Sequence, residues 1–109
     1  IGGNNEWANL DVVNLLCELI DARFADDKTL ASRFPDSPCA KGGSAKSLIT
    51  FVIDRPGHDT RYAINAAKIS SELGYDPVED FDSGLDKTVD WYLTNEAWWR
   101  SIQDGSYRH

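Results

Sequence analysis

LITFVIDRPGHDTRYAI (Leu48–Ile64) is the stretch on which the class of this chain turns. Its first part, Leu48–Asp54, is β-branched and aromatic, the composition of a short strand, and Pro56-Gly57 then forces a turn. Beyond Arg61 the alternation in YAIN (Tyr62–Asn65) predicts a second brief extended piece. All other periodic segments read as helices, so these two pieces make the expected class α/β, mainly helical with a few short strands. The same stretch also raises a question about function. Arg55, Arg61 and His58, one of only two histidines, fall within nine residues of a chain with net charge -7.

On the amino-terminal side, NLDVVNLLCELIDARFA (9–25) places Val12, Val13, Leu16, Leu19, Ile20 and Phe24 at three- and four-residue spacings, a helix with one broad buried face. Asn9 is the expected N-cap, with Asp11 in the first turn, where the helix dipole favours a negative charge. On the carboxy-terminal side, NAAKISSELG (65–74) predicts a short helix capped by Asn65 and stopped by Gly74. A further helix is expected over roughly 82–95, with Leu85, Val89, Tyr92 and Leu93 as its apolar stripe and Asp80, Asp82 and Asp86 at its start. Asn95 is positioned to cap a last helix, EAWWRSI. Trp91, Trp98 and Trp99 read as an aromatic cluster that closes a small core or an interface. Residues 26–47, rich in Pro, Gly, Ser, Ala and Lys, read as a long flexible loop with one helical turn near Leu30–Phe34. Its GGSAKS end is not a phosphate-binding P-loop, because Ala45 precedes Lys46 and position 40 is alanine.

The chain has 109 residues, 41% hydrophobic and 27% charged, values that fit one soluble lobe spanning residues 1–109 with a modest core. Acidic groups outnumber basic ones by 18 to 11, which argues against a nucleic-acid partner, since neutralising phosphates needs a basic face. No apolar run is long enough to span a membrane, and IGGNNEWANL has none of the features of a signal peptide, so the cytoplasm is the expected location. Cys17 and Cys39 are too few and too far apart for a disulfide framework or a zinc site, and no metal is expected. With no methionine and an opening Ile-Gly-Gly, the sequence reads as a piece of a longer one.

Pro56-Gly57 sets Arg55 and His58 on either side of one bend, with Arg61 shortly after. An arginine presents a planar fork of donors matched to phosphate oxygens, and a nearby histidine adds a directional donor, so the turn has the means to grip a small anion. The competing reading is that Arg55 and Arg61 pair with Asp54, Asp59 and other carboxylates as ordinary surface bridges while His58 is simply exposed.

IGGNNEWANLDVVNLLCELID, together with DRPGHD followed by RYAI and the run through NEAWW, closely resembles the carboxy-terminal part of the dTDP-glucose 4,6-dehydratase family, within the extended short-chain dehydrogenase/reductases. The resemblance covers nearly all of the chain apart from residues 26–47. It implies a substrate-binding lobe of a Rossmann-type NAD-dependent lyase, usually homodimeric, whose Rossmann half is absent from this sequence. The implied reaction, on a route to deoxysugars such as rhamnose, converts dTDP-glucose to dTDP-4-keto-6-deoxyglucose and water, with NAD borrowing a hydride. The family's Gly-rich dinucleotide turn and Tyr-x-x-x-Lys pair do not occur here, so catalytic and NAD-binding residues are expected outside this chain. Carried over by position, Asn9, Asp54, Arg55, Pro56, Gly57 and His58 are implied to contact the nucleotide sugar, with Arg55 on the pyrophosphate. Asn65 departs from the aspartate expected in YAID, but both residues cap helices. The alternatives are a non-catalytic interaction module docking through its tryptophan-rich end, or the same lobe of another sugar-nucleotide dehydratase, epimerase or decarboxylase.

Overall fold

The computed structural model of the chain describes residues 1–108. Long helix α1 spans Asn9–Asp26, short α2 spans Thr29–Arg33, α3 spans Ala67–Leu73, α4 spans Phe81–Thr94 and α5 spans Glu96–Gln103. Among the described residues three 3-10 turns, at Cys39–Lys41, Ala45–Leu48 and Ser106–Arg108, complete the regular structure.

Helix α1 is the spine against which α2, α4 and both 3-10 turns of the 39–48 segment pack. Its Arg23 guanidinium forks onto Asp86 and Asp90 of α4, each at 2.7 Å, and sets the two helices side by side. Asp27 ends α1 and starts α2 by accepting bonds from the Thr29 backbone N–H and hydroxyl. Residues 26–47 thus hold α2, one 3-10 turn and most of a second, with Leu30 and Ala45 buried. Asp21 of α1 anchors the rest of that segment, accepting from the Ala45 N–H (2.8 Å), the Ser44 hydroxyl and the Cys39 thiol (3.1 Å).

Helix α4 begins as expected, with Asp80 accepting from the Ser83 N–H at 2.8 Å. Helix α3 stops at Gly74, whose φ of +66° is the left-handed geometry that favours glycine. The N-cap position of α3 falls to Ala66, and Asn65, one residue before it, accepts from the Ala67 N–H through its side chain. Asn95 precedes α5, yet its amide donates back to the Trp91 carbonyl of α4 instead of capping forward. The tryptophans do not form one buried cluster: Trp91 and Trp98 meet each other but stay exposed, and Trp99 packs separately. Trp91 and Trp98 meet edge to face with centroids 5.1 Å apart, Trp99 stacks on Phe34, and the Trp99 indole donates to the Tyr92 carbonyl.

The expected strands are not formed. Among the described residues there is no strand, so the fold is mainly helical and the α/β expectation for this chain is corrected. Leu48 closes a 3-10 turn, and the extended residues that follow have no backbone ladder partner among the described residues. A strand exists only where a neighbour pairs its N–H and C=O groups, and β-branched composition supplies no neighbour. Phe51, Val52 and Ile53 are accordingly 81%, 83% and 99% exposed.

The core is correspondingly thin. Cys17, Leu30, Ala45, Ala66 and Val89 are the buried apolar side chains among the described residues, and none of the large ones is fully enclosed. The accessible surface is 8479 Å², against about 6,100 Å² for a compact monomer of this mass. The radius of gyration is 17.6 Å, against about 13 Å for a compact chain of this length. Much apolar surface that a self-contained domain would bury therefore faces outward.

Candidate functional site

Residues 2–8 lead into α1, and the irregular arm 58–64, bent at Thr60, lies against them, so that a Cβ on Gly2 would stand 2.8 Å from the Ile64 Cβ. Glu6 and Arg61 form an ion pair that ties the two segments together. Between them opens a cleft of about 690 Å³ lined by the segment Glu6–Asn9, by Val12 and by the arm residues His58–Tyr62. Its volume lies in the range of small-molecule sites. Trp7 forms part of the wall and is held by stacking on Phe81 of α4, with centroids 4.7 Å apart.

Of the six residues expected to bind substrate, the structure brings Asn9 and His58 into this one cleft. Asn9 is the first residue inside α1, not its N-cap. Ala8 holds that position and makes no side-chain cap, which corrects the expected role of Asn9 and leaves its amide without a partner among the described residues. The residues of the turn behave differently from one another. Pro56-Gly57 forms a reverse turn with Gly57 at φ +73°, closed by the His58 N–H donating to the Arg55 carbonyl at 3.3 Å, the geometry of a type II turn.

Asp54 organises the turn from outside the cleft. Its Oδ1 lies 2.6 Å from His58 Nδ1 and 2.9 Å from the Arg55 backbone nitrogen. The His58 hydrogen bond, followed by that of the Arg55 N–H, holds the Asp54 carboxyl below the usual carboxylate range. An ionised Asp54 accepts from Nδ1–H, which orients the imidazole and leaves Nε2 without a partner among the described residues. Asp54, Arg55, Pro56 and Gly57 do not line the cleft, and the Arg55 guanidinium has no partner among the described residues. Sequence reading assigned no ligand contact to Glu6, Trp7 or Tyr62, and noted Arg61 only as part of a basic cluster. Arg61 had a legible signal in its charge; Glu6 had none, because its partner is remote in sequence.

Nothing in these residues fits a dinucleotide. An NAD pyrophosphate requires a Gly-rich turn between a strand and a helix, and the described residues contain neither such a turn nor a strand. No group of three His, Cys, Asp or Glu side chains among them is placed to hold a metal ion. No described helix is long and apolar enough to cross a membrane.

The described residues thus bring an open cleft and an oriented histidine together on a thin helical lobe. Comparison with known proteins shows what the chain is similar to. Over its whole length the chain is homologous to one segment of the dTDP-glucose 4,6-dehydratases. It is 48% identical to the dTDP-glucose 4,6-dehydratase of Neisseria meningitidis serogroup B over 99% of its own length and 27% of that protein's. The Escherichia coli dTDP-glucose 4,6-dehydratase is 45% identical over 98% of the chain and 26% of its own length. A probable dTDP-glucose 4,6-dehydratase of Sinorhizobium fredii is 47% identical over the same shares. The chain thus spans about a quarter of the length of the curated relatives it matches. No protein-family model matches it.

Proposed function

We propose that this chain is the carboxy-terminal, substrate-binding part of an enzyme of the dTDP-glucose 4,6-dehydratase type, a lyase, and that its cleft receives the diphosphate of the nucleotide sugar. The observation that carries the proposal is the convergence of Asn9 and His58, remote in sequence, on one cleft of ligand size. The homology along the whole chain supports the substrate class, because the relatives' names specify dTDP-glucose. Arg55, outside the cleft lining but on the same turn as His58, has a guanidinium fork free to reach a phosphate oxygen pair at the cleft's edge. His58, oriented through Nδ1 by Asp54, offers Nε2, and Asn9 offers its amide as donor and acceptor. Pro56 and Gly57 shape the bend that carries Arg55 and His58.

In this reading NAD belongs to the Rossmann half of a homodimeric cytoplasmic parent, where it serves as a temporary hydride acceptor. The chain described here binds and orients, and the proton and hydride transfers fall to residues outside it. The test is calorimetric titration of dTDP into the chain and into Arg55→Ala. A charge-assisted contact of roughly 1.5 to 3 kcal/mol corresponds to about a tenfold or greater loss of affinity. Unchanged binding by Arg55→Ala would overturn the role given to the turn.

A further inference from the structure

Arg61 stands in a different relation to the cleft from Arg55. Of the residues lining it, Arg61 alone carries a permanent positive charge, while Glu6 and Asp59 bring two carboxylates. A dianionic ligand entering here would meet net negative charge unless the Arg61 guanidinium turned to it. That guanidinium is engaged by Glu6 in an exposed ion pair, with side-chain exposures of 71% and 45%. Exposed pairs of this kind contribute little and exchange readily, whereas a phosphate offers the same fork two charged oxygens. The Asn9 amide and the oriented His58 line the same cleft and are free to complete the shell of donors.

We infer that Arg61 is a second diphosphate-binding residue, and that Glu6 is a placeholder carboxylate which an incoming phosphate displaces. The inference rests on the proposed nucleotide-sugar site and adds to it a division of labour. Arg61 meets the phosphates inside the cleft, while Arg55 stands outside its lining at the start of the Pro56-Gly57 turn. In the absence of ligand, Glu6 keeps Arg61 at the cleft and draws the arm against the start of α1.

The placeholder role predicts a sign that a purely structural bridge would not give. Removing the Glu6 charge frees Arg61, so Glu6→Gln should bind anions more tightly, by about two- to fivefold, the worth of an exposed pair. Arg61→Ala should weaken binding about tenfold or more, and Arg61→Lys, which keeps the charge but not the fork, should fall between. The probes are inorganic pyrophosphate and dTDP, titrated into the 109-residue chain and each variant by calorimetry, with the Arg61 side-chain NH resonance followed in parallel. Glu6→Gln that binds equally or more weakly would overturn the placeholder role. Arg61→Ala that binds normally while Arg55→Ala does not would overturn the second contact and leave the proposed function standing. Failure of the parent chain to bind either probe would remove both.

Discussion

Replacing Asp21 tests how the 39–48 segment is held to α1, and therefore how the arm that carries the site is launched from the helical lobe. Its carboxylate gathers the Ala45 N–H at 2.8 Å, the Ser44 hydroxyl and the Cys39 thiol at 3.1 Å, all in a half-buried setting. The Ala45 and Ser44 bonds are charge-assisted and the thiol bond is weak, so the first two dominate. Hydrogen bonds to a charged group are worth roughly 1.5 to 3 kcal/mol each, but they are not additive around one carboxylate, and water can reach the vacated donors. Asp21→Ala should therefore cost about 2 to 3 kcal/mol. Asp21→Asn, which retains one acceptor and loses the charge, should cost about half that. Urea denaturation followed by tryptophan fluorescence reads the global term. Amide exchange at Ala45 reads the local one, where 1.4 kcal/mol is a tenfold faster opening. An Asp21→Ala chain within about 0.5 kcal/mol of the parent, with Ala45 protection unchanged, would refute the anchoring role.

Two further outcomes are expected. Asp80→Ala removes the side-chain cap of α4 and should lower stability by about 1 kcal/mol, with a matching loss of helical circular dichroism on partial denaturation; no change in the midpoint would show that the cap is idle. Asp21, Asp54, Glu79, Asp80 and Glu96 are all held below their ordinary values by hydrogen bonds from Ala45, His58, Lys87, Ser83 and Arg100 respectively. Groups with depressed folded-state values stabilise the fold above the ordinary carboxylate range and lose that contribution as pH falls through the depressed values. Stability should be level from pH 7 to about 5 and decline below about 4, and a midpoint that rises on acidification would contradict the assignment.

Helix α1 was legible because its apolar positions recur every three or four residues, which any chain can satisfy locally. The stop at Gly74 was legible for the same reason: the Gly74 N–H and the Ser70 carbonyl that satisfy each other lie four residues apart. The strand expected over Leu48–Asp54 was not formed, since its partner must come from elsewhere and composition is silent on whether that partner is present. Asn9 illustrates a finer limit. A one-residue shift of the helix start turned an expected cap into a free amide facing the cleft, and helix ends are the least determined part of any helix.

By itself, then, the amino-acid sequence determined the helices, the Pro56-Gly57 bend and the resemblance that points to a nucleotide-sugar site. These rest on residues that interact within a few positions or on motifs that are read as strings. Only the tertiary structure decided that Asn9 and His58 share a cleft, that Arg61 rather than Arg55 lines it, and that Glu6 pairs with Arg61. Those facts depend on the arm folding back onto the start of α1 across about fifty intervening residues, an arrangement set by the packing of the whole lobe and invisible to any local pattern.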